Sequence, residues 1–186
     1  MQIFAAHADP VKAAEYVKFG KHVTKMPLET AQILCTVWHE CGGVPADAPD
    51  GFYKPTHKHH PCVKWACASA ANYRWLVLHF EALLVNFYVQ SQRIASRENA
   101  ARKPGSRKRE RQPKHHAARK FLDFFRRHVP SAFPAEAPTP HPVAIGGPEL
   151  ERVAVRLPDG GLDVHATYRR YADPAEAAAR IARRRS

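Results

Sequence analysis

Apolar residues along the chain recur mainly every three or four positions, which is the spacing of one face of an amphipathic helix. Asp9 followed by Pro10 is an N-cap residue with a first-turn proline, so a short helix is predicted from there to Gly20. Pro27 repeats this start signal, and the helix that it opens is predicted to end at the glycine pair 42–43.

The middle of the chain continues the helical pattern. A long helical stretch is predicted from Pro61 to about Gln92, with a bend near Ser69. Helix is predicted to resume over residues 117–128, where further apolar side chains pack inward. One apolar stripe runs along the second half of the long stretch, at Leu76, Phe80, Leu83 and Phe87.

The two ends of the chain differ from this pattern. Residues 1–6, MQIFAA, predict a short extended segment. Residues 152–167 alternate on both sides of a Pro-Asp-Gly-Gly turn, which predicts a β-hairpin. Asp173 and Pro174 then give a start signal for a terminal helix.

Together these elements predict a mainly α fold: a compact helical domain with a short N-terminal extended segment, a basic insertion and a small C-terminal hairpin. The length of 186 residues fits one such domain. Residues 1–92 are expected to form a helical region of catalytic type, and residues 93–120 a basic flexible loop or insertion. Residues 121–186 are expected to complete the same domain with the hairpin and the terminal helix.

Positive charge indicates the expected partner. The formal net charge is +12, and residues 93–127 contain 13 Lys and Arg side chains against three acidic ones. A polyanion rewards each such cation through phosphate contact and counterion release, so nucleic acid, above all DNA, is the predicted partner. The alternative is a solvated linker that is rich in charge. The predicted nucleic-acid-binding residues are Arg102, Lys103, Arg107, Lys108, Arg109, Arg111 and Lys114.

The sequence predicts a cytoplasmic protein with no membrane partner. No stretch approaches the roughly 20 apolar residues that span a bilayer. Polar residues also interrupt the N-terminal apolar run, so no signal peptide is predicted. In a chain without an export signal, cysteines are expected to be reduced thiols. They are Cys35, Cys41, Cys62 and Cys67.

One candidate centre lies in the motif KHVTKMPLETAQ, residues 21–32. If Pro27 begins a helix, Glu29 lies in its first turn and faces the cations just before it. A carboxylate beside ammonium groups and an imidazole forms a cluster that shifts pKa values and performs acid–base chemistry. In the alternative, Glu29 only complements the helix dipole while the lysines face water. The candidate residues are Lys21, His22, Lys25, Glu29 and Gln32.

A second candidate centre lies in the motif YKPTHKHHPCVKW, residues 53–65. Its three histidines within four positions suggest a metal site. Further ligands would have to come from Cys62, Cys67 or His39. The spacing fits no common zinc pattern, so no metal and no cofactor is assigned. We instead expect His57, Lys58 and His60 to bind or protonate a substrate phosphate or sugar.

A third candidate is the motif NYRW, residues 72–75. Aromatic side chains beside an arginine stack well on an extruded base, which makes Asn72, Tyr73 and Trp75 candidate substrate-binding residues. In a helix, aromatic residues more often belong to the core, and the sequence leaves both interpretations open.

Several motifs resemble a family of small proteins that is common in bacteriophage genomes and largely without an assigned function. The resemblance rests on five segments in chain order: the opening M-x-I-F with DPVKAA, then KHVTKMPLETAQ, YKPTHKHHPCVKW, NYRWL and TYRRY. It covers most of the chain, with the basic stretch 93–120 as an insertion or extension. It implies a bacterial or phage-infected cell as the setting and implies no activity.

The chain also resembles pyrimidine-dimer DNA glycosylases of the endonuclease V type. The resemblance rests on the amino-terminal M-x-I, a glutamate on the first long helix, and a tyrosine-to-His-Pro segment before the next helix. Those compact helical enzymes use the α-amino group of the chain as nucleophile at the sugar C1′ and a helical glutamate to stabilise the Schiff base. The resemblance implies these roles for the amine of Met1 and for Glu29, with His60 near the phosphates. Because Gln2 is bulky, Met1 is expected to be retained.

Three functions are compatible with the sequence. The leading hypothesis is a DNA-directed base-excision enzyme, a DNA glycosylase with abasic-site lyase activity that acts through a Lys/His/Glu pocket. Within it, Lys21 or Lys25 is an alternative nucleophile if its pKa is lowered. The second hypothesis is a phage transferase that modifies nucleotides or DNA bases with the same pocket. The third is a nucleic-acid-binding protein without catalysis.

Overall fold

The computed structural model describes residues 1–18, 20–103, 106 and 108–183. These residues form eight α-helices and two short 3-10 helices, so the predicted mainly α fold is confirmed. None of the helices in these ranges combines the length and the apolar character needed to span a bilayer. The α-helices are α1 Pro10–Ala14, α2 Gly20–Glu40, α3 Pro61–Ala68, α4 Ala70–Ala100, α5 Leu122–Arg127, α6 Gly147–Val153, α7 Val164–Ala172 and α8 Pro174–Arg183, and the 3-10 helices are Glu15–Val17 and Ala117–Phe121.

Helices α2 and α4 pack along each other at the centre of the molecule. The larger hydrophobic cluster joins them to α3 and α5 through fully buried side chains such as Leu34, Phe80 and Phe125. A smaller cluster joins the N-terminal segment and α7 to α4 around Phe4 and Tyr168. Burial of each large apolar side chain contributes about 1.5–3 kcal/mol, so the two clusters fix the helices that carry the candidate site.

Helix α2 begins earlier than the sequence predicted. It starts at Gly20, whose φ of +62° is readily adopted by glycine, so this residue opens α2 and does not end a helix that began at residue 10. Pro27 lies inside α2 and cannot donate a hydrogen bond to the Val23 carbonyl. Val23, Met26 and Pro27 are all buried, and this packing offsets the lost bond. The prediction that Pro27 starts the helix is therefore wrong.

Ser69 separates α3 from α4, as predicted. Its backbone is extended, and its hydroxyl oxygen accepts the Asn72 N–H at 3.1 Å, which caps α4. Helix α4 then continues to Ala100, beyond the predicted end at Gln92. Residues 93–100, the start of the predicted basic insertion, are thus helical.

The predicted hairpin over residues 152–167 is reduced to a tight turn. One isolated antiparallel bridge pairs Arg156 with Leu162, and the described residues form no longer strand there. Helices α6 and α7 occupy the two ends of the predicted hairpin. Asp163 explains this at the second end, because its side chain caps α7 by accepting the Ala166 N–H at 2.8 Å. This capping hydrogen bond favours helix α7 over the strand that the alternation of apolar residues predicted.

The N-terminal segment lies outside the helices and is held in place by side chains of α4 and α7. Residues 3–6 are buried. Side chains of the two helices donate hydrogen bonds to main-chain oxygens along the segment: Trp75 to Ala8, His79 to Pro10, His165 to Ala5 and Arg169 to Ala6. These hydrogen bonds fix the main chain of residues 5–10 against α4 and α7, and the chain leads from there back to residue 1.

Candidate functional site

Glu29 and the amino terminus form the centre of the candidate site. Glu29 lies in the third turn of α2, not in the first turn as predicted, and its side chain is 9% exposed. Its Oε2 atom accepts the Gln2 N–H at 2.9 Å and lies 3.9 Å from the Met1 amino nitrogen. Its Oε1 atom lies 3.0 Å from Lys25 Nζ, one helical turn earlier. The carboxylate thus has a positively charged group beside each of its oxygens.

Two contacts place the amino terminus beside this carboxylate. The Met1 side chain is 3% exposed and packs on the larger hydrophobic cluster, so the exposed part of this residue is its main chain. The Gln2 side-chain amide donates to the Ala144 carbonyl at 2.9 Å. Residue 1 is therefore a structural part of the fold as well as the carrier of the amine.

His22 packs beside this centre at the start of α2. Its ring meets Phe4 edge-on, with centroids 5.1 Å apart. Although His22 keeps an exposed edge, burial of the rest of the ring lowers its pKa, and the charges of Arg180 and Lys25 lower it further. These effects favour the neutral imidazole.

His60 brings a second imidazole to the amine from the start of α3. Its Nδ1 atom accepts the Cys62 N–H at 3.2 Å, so the ring proton lies on Nε2. Partial burial lowers the pKa of His60, as do the charges of the amino terminus and of His57. His60 is therefore a neutral donor near the amine. His57 itself is exposed, and its φ of +52° costs on the order of 1 kcal/mol for a residue with a side chain.

The other predicted residues of these two motifs do not contact Glu29. Lys21 is exposed on the first turn of α2, and Gln32 is half-buried one turn beyond Glu29. Lys58 lies apart, because its Nζ atom is 2.6 Å from Glu40 Oε1 at the far end of α2. Eleven residues separate the two glutamates, which is about 16 Å of helix. The structure thus groups Met1, Lys25, Glu29 and His60, and it places His22 where the charges of Lys25 and Glu29 act on its pKa.

The three residues predicted to hold a base belong to the packing of α4. Asn72 is buried, and its Nδ2 atom donates to the Trp65 carbonyl and to Thr139 Oγ1, both at 2.7 Å. Its Oδ1 atom accepts the Thr139 N–H at 3.0 Å. Tyr73 is fully buried, and Trp75 is half-buried with its indole N–H bound to the N-terminal segment. The positions favour the core interpretation for all three.

Replacing Asn72 with alanine should destabilise the fold without altering the candidate centre. The change leaves the Trp65 carbonyl and the Thr139 N–H without their partner, at about 1–3 kcal/mol for each buried group. We expect the free energy of unfolding in urea to fall by about 3 kcal/mol. The control is Arg74→Ala on the same helix, which removes an exposed ion pair to Glu136 and should leave stability nearly unchanged. Equal stability of the two variants would contradict the structural role of Asn72.

Six of the seven predicted nucleic-acid-binding residues are described, whereas Arg107 lies outside the described residues. Lys114 is bound through its N–H to Ser91 Oγ at 2.7 Å on α4. The other five line an open cavity of about 600 Å³ at the end of α4, namely Arg102, Lys103, Lys108, Arg109 and Arg111. None of the residues gathered around the Met1 amine lines this cavity.

The histidines and cysteines that were considered as metal ligands form no metal-binding group among the described residues. In the parts of the chain that the structure describes, no group of three His, Cys, Asp or Glu side chains is placed to hold a metal ion. His39 Nε2 instead lies 3.1 Å from the Tyr53 carbonyl. Burial raises the pKa of Cys62 to about 11 and that of Cys35 to about 12, so both thiols stay protonated at neutral pH and are poor nucleophiles.

Two residues near these groups had no predicted role in the site. Gln2 joins the terminus to Glu29, whereas Arg180 of α8 is a neighbour of His22, whose pKa its charge lowers, and not of the amine itself. No local sequence signal reveals either contact, because each joins segments that are far apart in the chain. Comparison of the chain with protein-family models, curated proteins and solved structures gave no match.

Proposed function

We propose that the protein is a DNA glycosylase with abasic-site lyase activity, in which the α-amine of Met1 is the nucleophile and Glu29 stabilises the intermediate. The observation that carries the proposal is the 3.9 Å separation between the Met1 nitrogen and Glu29 Oε2. Glu29 lies in the third turn of α2, and a helix dipole acts mainly on its first turn, so complementing the dipole does not explain this carboxylate. The net charge of +12 supports DNA as the substrate.

In the proposed reaction, the Met1 ammonium first gives up a proton to solvent, and the neutral amine then attacks C1′ of the target deoxyribose. The glycosidic bond breaks, its electron pair leaves with the base, and one amine proton passes to that base. The ring oxygen O4′ then leaves C1′ and takes up a proton, which produces an iminium cation at the former amine. The Glu29 carboxylate stabilises this cation electrostatically. Removal of a C2′ proton and cleavage of the C3′–O bond complete the lyase step.

His60 and Lys25 supply polar contacts for this reaction. The Nε2–H of His60 is a donor for O4′ or for an adjoining phosphate. The Lys25 side chain is 64% exposed although it pairs with Glu29, so its ammonium is open to a substrate phosphate.

Borohydride trapping tests the proposal. Reduction of the Schiff base on a duplex with an abasic site or a pyrimidine dimer should join the protein covalently to DNA. Trypsin digestion then identifies the nitrogen, because residues 1–12 form one peptide whose other amine is its C-terminal lysine. We expect the sugar remnant on the α-amine of that peptide. A remnant on Lys21 or Lys25 would make a lysine the nucleophile, and the lack of any adduct would contradict Schiff-base chemistry.

An N-terminal extension provides a matched comparison. The dipeptide Gly-Ser placed before Met1 converts its amine into a peptide nitrogen and moves the free amine away from Glu29. The adduct should then disappear, whereas the same dipeptide at the C-terminus should leave the yield unchanged. Thermal melting of both variants shows whether the fold is kept, since the Met1 side chain packs in the core.

A further inference from the structure

The cavity at the end of α4 is a strongly charged concave surface. It encloses about 600 Å³ and is open to solvent. Among the residues that the structure describes, the lining contains one acidic residue, Glu98, and one aliphatic side chain, Ala101. The described cations of the lining are Arg102, Lys103, Lys108, Arg109 and Arg111. A lining of this kind suits an anion and does not suit an apolar ligand.

Specific hydrogen bonds build the wall of this cavity. The Asn99 side chain binds the main chain of Arg111 twice, because its Nδ2 atom donates to the carbonyl at 3.0 Å and its Oδ1 atom accepts the N–H at 2.8 Å. The Arg111 guanidinium also lies 2.5 Å from Glu98 Oε1. The basic segment is thereby attached to the last turn of α4, which argues against a merely solvated linker.

Most of the positive charge in the cavity is unneutralised. Glu98 is already paired with Arg111. Lys103, Lys108 and Arg109 are exposed and form no ion pair with any residue that the structure describes. A phosphodiester backbone presents regularly spaced negative charges and would neutralise these three cations.

The cavity also lies within reach of DNA bound at the candidate centre. Arg111 and His116 are five residues apart, at most about 18 Å of extended chain. His116 Nε2 donates to the Thr24 carbonyl at 3.0 Å. Thr24 precedes Glu29 by five residues, about 7.5 Å of helix. With the His116 and Glu29 side chains included, the path from the cavity wall to the carboxylate is on the order of 40 Å at full extension, little more than one turn of B-DNA, about 34 Å.

We infer that this cavity binds the phosphodiester backbone of duplex DNA, about one helical turn or less from the nucleotide held at Glu29. The position of that nucleotide rests on the proposed function, whereas binding of the backbone requires no reaction. Lys103, Lys108 and Arg109 contact the phosphates, and the two hydrogen bonds between Asn99 and the Arg111 main chain hold the wall. Such contacts position the duplex and carry no sequence information.

The salt dependence of DNA binding tests this inference. One triple variant removes the three exposed cavity cations that form no ion pair with a described residue, and a matched one removes three exposed cations elsewhere. Fluorescence anisotropy with an undamaged duplex of about two helical turns gives the slope of log K against log salt. We expect the slope to fall by about 2–3 for the cavity variant and to stay nearly constant for the control, and equal slopes would overturn the inference. The variants are K103A/K108A/R109A and K12A/R156A/R170A.

Glu98→Gln is a second variant whose expected effect cannot arise from misfolding. It removes the acidic charge of the described lining, while Asn99 keeps the segment attached to α4. We expect about threefold tighter binding of the duplex at low salt. Weaker or unchanged binding would contradict the inference, as would tighter binding of an RNA duplex than of the DNA duplex.

Duplexes that are shortened on one side of an abasic site show which flank of the DNA contacts the cavity. Loss of the flank that reaches the cavity should weaken binding by the wild type and leave the triple cavity variant unaffected. An equal response of both proteins to each truncation would overturn the proposed position. Borohydride trapping can fail while the triple cavity variant still shows a smaller slope of log K against log salt than the wild type. In that case the proposed reaction is wrong and the inference of DNA binding stands.

Discussion

Replacing Glu29 with glutamine should slow formation of the borohydride-trapped adduct by about 10²- to 10⁴-fold. The amide keeps the size of the side chain and still accepts the Gln2 N–H, so the fold should be retained. It carries no negative charge, however, and cannot stabilise the iminium cation at Met1. The measurement is the single-turnover rate of adduct formation on an abasic duplex.

Glu40→Gln is the matched control for this variant. Glu40 belongs to the same helix and pairs with Lys58 at 2.6 Å, but it lies about 16 Å of helix away from Glu29. Its replacement should leave the rate of adduct formation unchanged. Anisotropy with undamaged duplex should show equal DNA binding by both variants, which separates a loss of chemistry from a loss of affinity.

Each other outcome selects a different hypothesis. Full activity of the Glu29→Gln variant would exclude a Schiff-base mechanism that depends on this carboxylate. If the cavity variant alone then lost function, the protein would be a nucleic-acid-binding protein without catalysis. If mass spectrometry of nucleosides from treated DNA showed a new modification that disappears in Glu29→Gln, the transferase hypothesis would replace the glycosylase.

Local signals predicted the parts of the site that lie on one element. Lys25 and Glu29 are four residues apart, so their ion pair follows from helix geometry alone. The break at Ser69 follows from its capping hydroxyl, and the start of α3 follows from the proline after His60. These features need no knowledge of the tertiary fold.

Contacts between distant segments account for what the sequence could not predict. The approach of Met1 to Glu29 was implied by a resemblance only, since no periodicity relates a chain terminus to a helix. The anchor of Gln2 joins residues that are 142 positions apart. The error at Pro27 has the same origin, because its start signal is local whereas the burial that keeps α2 continuous is tertiary.

Two histidines, the buried His79 and the half-buried His141, should make the fold sensitive to acid. Burial lowers the pKa of His79 to about 4, and its Nδ1–H donates to the Pro10 carbonyl at 2.9 Å. Burial also lowers the pKa of His141 to about 4, with further contributions from the charges of His165 and His79. Both folded-state values lie below the ordinary histidine pKa of about 6.5, so the unfolded chain takes up protons first as the pH falls.

The stabilisation by these neutral rings is therefore fully present above about pH 6.5 and is lost as the pH falls toward 4. For His79 alone the loss amounts to about 3 kcal/mol at pH 4, and His141 adds less because it is partly exposed. Urea unfolding between about pH 7.5 and 4.5 should show this loss. A free energy of unfolding that stays constant over this range would contradict it.

His141→Phe isolates one of the two rings. His141 stacks on Trp65 with centroids 4.9 Å apart, and its buried Nε2 has no hydrogen-bond partner among the described residues, so phenylalanine can replace it without loss of a bond at that atom. The variant should match the wild type near pH 7.5 and exceed its stability by about 1 kcal/mol near pH 4.5. The exposed His59→Gln control should follow the wild type, and parallel curves for all three proteins would show that His141 does not titrate in this range.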